Sequence, residues 1–176
     1  ANKFSWYYQD HYNIDRKDPG FDILNHTSKN GFPYANAEEG DAIKWNQMIF
    51  YIKTHDMSLP ENYEYLKTIV DMDNFITYLG HCMFIAKWDW PNNNEASWRP
   101  RIENGKWRWI QYDMETGLGA ATVLGPQYAM LGAQLNMVKV VTEGVDIPGF
   151  SKYGPHPIVE QIYNNQEFRD SLNNWF

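Results

Sequence analysis

Residues 87–119 read KWDWPNNNEASWRPRIENGKWRWIQYDMETGLG, and within them the apolar period changes from that of a helix to that of a strand. Just upstream, Met72, Phe75, Ile76, Leu79, Cys82, Met83 and Ala86 recur at i, i+3, i+4 and i+7. That series predicts an amphipathic helix, capped by Asp71 and running to about residue 87. Pro91 and the three asparagines behind it break the pattern. Asn104-Gly105 then offers the two positive-φ residues of a type I′ turn, so 98–102 and 107–112 read as the arms of a β-hairpin. Alternation along the second arm puts Trp107, Trp109, Gln111 and Asp113 on one face. The stretch 116–125 is small and Gly-rich, a loop able to lie close against another backbone or a ligand.

Outward from this segment, helical spacing returns. Trp45, Met48, Ile49 and Ile52 mark a helix that Asp41 can cap and that Pro60 stops, and a short helix over 61–69 follows. Pro126 can start a helix carrying Leu131, Leu135, Val138 and Val141 up to Gly144. A Gly/Pro-rich connection over 148–157 leads to two short closing helices, one with Ile158, Ile162 and Tyr163 inward, the other with Phe168, Leu172 and Trp175. Residues 1–40 differ: aromatic pairs are separated by turn-forming clusters at 15–20 and 28–33, which predicts irregular structure with short strands or turns. The expected organisation is an irregular segment over 1–40, a remnant of a junction with another lobe, and a folded unit over 41–176. The expected fold class is mainly α with a small β-hairpin, that is, α+β.

Composition narrows the function classes. Acidic residues exceed basic ones by 22 to 15 and the net charge is -7, so duplex nucleic acid, held through basic patches that release counterions, is a poor partner. No apolar run approaches the roughly 18 residues that a membrane span needs. A lone cysteine, Cys82, provides neither an internal disulfide nor a multi-cysteine zinc site. Five of the eight Trp lie between residues 88 and 109, so the aromatic excess sits in the segment quoted first.

The order of elements there has a chemical meaning. Phosphoryl transfer needs an acceptor to orient and partly deprotonate the attacking hydroxyl, and oxygen ligands to hold Mg²⁺ on the nucleotide phosphates. In protein kinases an Asp and an Asn five positions on share a loop after a helix, and another Asp follows a hairpin. Asp89, Asn94 and Asp113 stand in that order. The text VDMDNFITYLGHCMF, KWDWPNNN, NGKWRWIQYDMETGLG and NNQEFRDSLNNWF closely resembles the CotH (spore-coat protein H) kinase family, bacterial and eukaryotic atypical protein kinases of spore coats and secreted proteins, over about residues 36–176. The resemblance implies a protein-kinase-like C-terminal lobe, transfer of the ATP γ-phosphoryl group to Ser or Thr of a protein, Mg²⁺ or Mn²⁺ as cofactor, and an extracytoplasmic or cell-surface location. It makes Asp89 the residue that orients the acceptor hydroxyl, and Asn94 and Asp113 metal ligands. Glu115 stands where the family usually has a second Asp, and Tyr112 where it has Trp; a metal or phosphate contact is assigned to Glu115 and to Asn93.

Plainer readings stand beside these. Asp89 before Trp90-Pro91 can simply end a helix, and Asp113 can cap a turn. The Trp residues serve more often as core or cross-strand pairs than as a ligand platform, although exposed ones suit sugar stacking. His81 reads as a packed or partly exposed histidine of the long helix, Cys82 as a small core residue, and Asn25-His26-Thr27 as a chance glycosylation triplet. Arg99, Arg101, Lys106 and Arg108 form either a solvated hairpin or a contact for phosphate or an acidic peptide. Two other functions are therefore carried forward: a non-catalytic surface module binding glycan or protein, and a hydrolase with two metals on Asp89, Asp113 and Glu115. Nothing before Asp41 reads as the strands and phosphate-covering loop of a kinase N-terminal lobe, so the expectation is a C-terminal lobe belonging to a longer protein and inactive by itself.

Overall fold

The computed structural model describes residues 3–26, 35–87, 90–91, 93–115, 117–118, 136–146 and 152–176. Helices form where the apolar period predicts them: α2 over Ile43–Thr54, α3 over Pro60–Ile69 and α4 over Met72–Phe84. Near the C-terminus lie α5 (Met137–Glu143), α6 (Pro157–Ile162) and α7 (Gln166–Trp175). The part of the predicted fourth helix over 126–135 is outside the described residues.

Starts and stops follow local chemistry. The Asp71 carboxylate accepts the Asn74 N–H and caps α4. Asp41 does not cap α2 directly; its carboxylate takes the Ile43 N–H from one position further out. Asn136 and Asn165 cap α5 and α7 through their side chains. α4 is shorter than its period suggests. Ala86 turns to φ 50°, its N–H reaches Met83 O and the Lys87 N–H reaches Cys82 O, a Schellman ending with alanine in the usual glycine place.

Residues 1–40 hold more regular structure than their sequence suggests. A helix, α1 (Lys3–Tyr12), is followed by strands β1 (Phe21–His26) and β2 (Ala35–Glu39). The predicted hairpin is β3 (Glu95–Pro100) and β4 (Arg108–Ile110), and it does not stand alone: β1 inserts beside it, giving an antiparallel sheet in the order β2-β1-β3-β4. A second, two-stranded ribbon pairs β5 (Val145–Asp146) with β6 (Lys152–Tyr153). The fold is α+β.

The turn between β3 and β4 is also not the predicted one. The pairs Ala96–Ile110, Ser97–Trp109 and Trp98–Arg108 leave a long connection, and neither Asn104 nor Gly105 has positive φ. The reason is Arg99, which pairs with β1 through its backbone and fills the loop with its guanidinium, donating to Gly105 O and Ile102 O at 3.2 Å each. Gly105 is required there for space, because a Cβ would lie 2.1 Å from the Pro100 carbonyl oxygen.

The sheet separates two apolar clusters. On one face Phe21, Ile23, Ala96, Trp98 and Ile110 pack with Tyr8 of α1, whose ring stacks on Trp98 at 3.6 Å. The opposite face joins the main core, where Leu24, Trp107 and Trp109 meet α2, α4, α5, α6 and α7. Phe75, Leu79 and Cys82 of α4 are fully buried there, and each large side chain contributes about 2 kcal/mol. Cys82 is a core residue, as its place on the stripe predicts.

Candidate functional site

The site residues stand where the end of α4 meets the end of β4, and a set of tethers fixes that meeting. At the start of α4 the Asp71 carboxylate pairs with Arg108 at 2.9 Å, while the Asp71 N–H donates to Trp107 O. One turn on, the Asn74 side chain treats β4 as a strand partner: its Oδ1 accepts the Trp109 N–H at 2.6 Å and its amide donates to Trp109 O at 3.4 Å. Gln111 then donates to Tyr78 O at 3.1 Å. Helix and strand therefore run side by side until α4 ends at Phe84 and β4 at Ile110, and the chain just beyond them carries Lys87 and Asp113.

Lys87 closes the arrangement. It is fully buried, and its ammonium donates to Asn94 O at 3.0 Å and to Tyr112 O at 3.1 Å. Two oxygens bonded to one nitrogen lie no more than about 6 Å apart. The loop that follows α4 and the loop that follows β4 are thus tied at the residues the sequence singles out, since Tyr112 immediately precedes Asp113. Both Asn94 (φ 54°) and Asp113 (φ 52°) adopt the left-handed conformation, which Asn and Asp tolerate better than other side chains. Strained backbone of this kind gathers at functional sites.

Glu115 reaches Asp113. That hydrogen bond, with its own backbone N–H, holds the Glu115 carboxyl below its ordinary value; desolvation opposes the shift and the Lys87 charge assists it. Two carboxylates this close repel when both are ionised, so a proton or a cation between them is favoured. The loop beyond them folds back on α4: Leu118 N–H donates to Ile85 O at 2.5 Å, and a Cβ on Gly117 would meet the Ile85 side chain at the same distance. Asn93 is half-buried beside Asn94. Asp89 lies outside the described residues.

The donors offered here, a carboxamide and neighbouring carboxylates, are hard oxygens of the kind Mg²⁺ prefers, and Mg²⁺ binds through one or two protein ligands with water and phosphate supplying the rest. The residues present fit such an ion. Among the described residues no cluster of three or more His, Cys, Asp or Glu could hold a metal; the third carboxylate of the two-metal hydrolase, Asp89, lies outside them.

A buried polar layer supports the site from behind, and the sequence reading missed it. Glu95 follows Asn94 directly. Its Oε1 accepts from Trp109 Nε1 at 2.9 Å, and its Oε2 lies 3.3 Å from His156 Nε2. His156 caps α6 by accepting the Ile158 and Val159 amides at Nδ1, which assigns its proton to Nε2, facing Glu95. Burial alone would raise the Glu95 carboxyl, but His156, His26 and Trp109 together hold it below its ordinary value. His26, bonded to Ser97 at 2.9 Å, is itself pushed down to about 4 by burial. An E-x-S-x-R alternation on β3 carries these core-facing polar groups, but its signature is that of a solvent-facing strand edge. Lys87 was equally hidden, because a lysine at a helix end reads as solvated.

The remaining candidates take plainer roles. Trp90, Trp98, Trp107 and Trp109 are all buried, so these four offer no exposed platform for sugar stacking. Arg99 and Arg101 pair with Asp22, Arg101 also with Asp41, and Arg108 with Asp71, which neutralises the hairpin arginines inside the molecule. Asn25 donates to Glu38 from within β1. His81 is exposed, with its ring edge-on to Trp175. No helix among the described residues is long and apolar enough to cross a membrane.

Comparison with known proteins gives one match. The family model described as "CotH kinase protein" matches residues 3–176, so the likeness extends through α1 and β1, beyond the 36–176 covered by the sequence motifs. No curated protein and no solved structure matches.

Proposed function

Because the chain belongs to the CotH kinase family, we propose that it forms the phosphoryl-transfer lobe of an atypical protein kinase that moves the γ-phosphoryl group of ATP to a Ser or Thr hydroxyl of a protein. In this reading Asp89 accepts a hydrogen bond from the attacking hydroxyl and orients it. Asn94 and Asp113 hold Mg²⁺ or Mn²⁺, and Glu115 acts through Asp113 or touches the same ion, with Asn93 a neighbouring contact. The ion supplies neutralisation of phosphate charge. Everything else asked of the protein is position, which suits a site whose two loops are pinned to one buried ammonium.

That pinning carries the reading: Lys87 joins the peptide of Asn94 to the peptide preceding Asp113. It supports taking the order helix, loop, hairpin, Asp as one site. The alternative, a non-catalytic surface module, would lean on exposed tryptophans, and the four described Trp of the motif are buried. An extracytoplasmic location rests on the family resemblance.

The direct test is transfer of labelled γ-phosphate by the full-length protein, to itself or to extracellular protein, with Mg²⁺ or Mn²⁺ present. Labelling on Ser or Thr that Asp89→Ala reduces by at least about 100-fold is expected for loss of a group that positions the nucleophile. A folded full-length protein that neither binds ATP nor labels any protein would remove the proposal.

A further inference from the structure

Burying an ammonium is costly unless it is well bonded, because the charge surrenders its hydration shell. Lys87 is fully buried and is bonded to main-chain carbonyls on two different loops. Neither carbonyl needs a lysine for stability, since a water or a backbone N–H would satisfy each. What a lysine adds is a single rigid point shared by both loops. It is placed to do so by the ending of α4, where the Lys87 N–H bonds to Cys82 O and sets the direction of its side chain inward.

The two carbonyls are not arbitrary. One belongs to Asn94 and the other to the peptide unit shared by Tyr112 and Asp113, and both Asn94 and Asp113 hold left-handed φ. A left-handed residue without glycine's freedom returns to ordinary φ unless its surroundings prevent it. The ammonium fixes the peptide plane on the C-terminal side of Asn94 and on the N-terminal side of Asp113. Tyr112 adds its ring, 5.5 Å from the same nitrogen.

We infer that Lys87 is a positioning residue: by bonding Asn94 O and Tyr112 O at once it holds Asn94 and Asp113 in the backbone conformation that presents their side chains to a common cation. This deepens the kinase reading and rests on it for the cation, while the tie between the loops stands independently. Lys87 touches neither nucleotide nor acceptor in this role.

The test uses the intact protein with Lys87→Met, which keeps the length and apolar bulk but deletes the charge, and Lys87→Arg, which keeps charge and donors. Amide hydrogen exchange without metal should rise at least tenfold in peptides covering 93–95 and 112–115, with exchange in α2 and α7 unchanged. Mn²⁺ affinity, read from the free-ion electron paramagnetic resonance signal, should fall at least tenfold in Lys87→Met and recover substantially in Lys87→Arg. Unchanged exchange in both peptides, or Mn²⁺ binding as tight as wild type, would overturn the inference. If wild type binds no Mn²⁺, the metal reading of the site fails, and the positioning role is then decided by the exchange arm alone. Should Lys87→Met not fold, the wild-type protein still decides: Lys87 Nζ protons slow to exchange, with couplings to the Asn94 and Tyr112 carbonyl carbons, are expected, and a fast-exchanging ammonium without them would refute the tie.

Discussion

Lowering the pH should weaken this protein through one residue before its carboxylates begin to matter. His26 is fully buried on β1, bonded to Ser97 and 4.4 Å from the Trp45 ring. Burial lowers it from 6.5 to about 4; Glu95 pulls the other way and His156 adds to the drop. A histidine whose folded value is depressed stays neutral in the native state while the unfolded chain takes up a proton. The unfolded state then binds more protons, so stability falls as pH drops. The contribution is complete above pH 6.5, declines from there to pH 4, and is lost below. The gap between those values corresponds to about 3 kcal/mol, a large part of the ~5–15 kcal/mol that holds a typical domain. Urea unfolding followed by tryptophan fluorescence at pH 7.5, 5.5 and 4.5 measures it. His26→Gln keeps a donor toward Ser97 and should be less stable than wild type at pH 7.5, yet lose about 3 kcal/mol less on going toward pH 4. Parallel pH profiles for wild type and His26→Gln would refute the linkage. Glu95 acts in a lower window: its depressed carboxyl stabilises the fold above its unfolded value and the benefit disappears as pH falls through its folded one.

Other substitutions probe the supports of the site. Trp109→Phe deletes the donor to Glu95 Oε1 and should cost about 1–3 kcal/mol in urea midpoint analysis, since a buried acceptor is left unsatisfied. Asp71→Ala removes both the α4 cap and the partner of Arg108, with an expected loss of about 1–2 kcal/mol by thermal or urea unfolding. Gly80→Ala improves helix propensity but would place a Cβ 2.3 Å from the Trp175 ring, so it should destabilise by about 1–3 kcal/mol; a more stable variant would show that α7 is free to move away.

How far the fold could be read from its sequence depended on whether polar residues kept to the surface. α4 was legible because its stripe of Phe75, Leu79 and Cys82 is buried on one side only. β1 was not, because FDILNH carries Asp22 and His26 toward the core, where Arg99 and Ser97 satisfy them from a strand more than seventy residues away. The Asn104-Gly105 signal is local and was overridden by Arg99, whose guanidinium holds a wider loop open. For the site, the order of elements singles out Asn94 and Asp113 as candidates. Lys87 and Glu95 were not, because a charge reads as solvated until the chain that buries it is known.

If the loops after α4 and β4 form one cation site serving a nucleotide, the affinity of the full-length protein for ATP depends on Mg²⁺. Titration calorimetry should show Mg²⁺-dependent binding that Asp113→Ala and Asn94→Ala each weaken by at least about tenfold, or ~1.4 kcal/mol, with the urea midpoint of each variant near wild type. ATP affinity that ignores Mg²⁺, or that both variants leave unchanged, would contradict it.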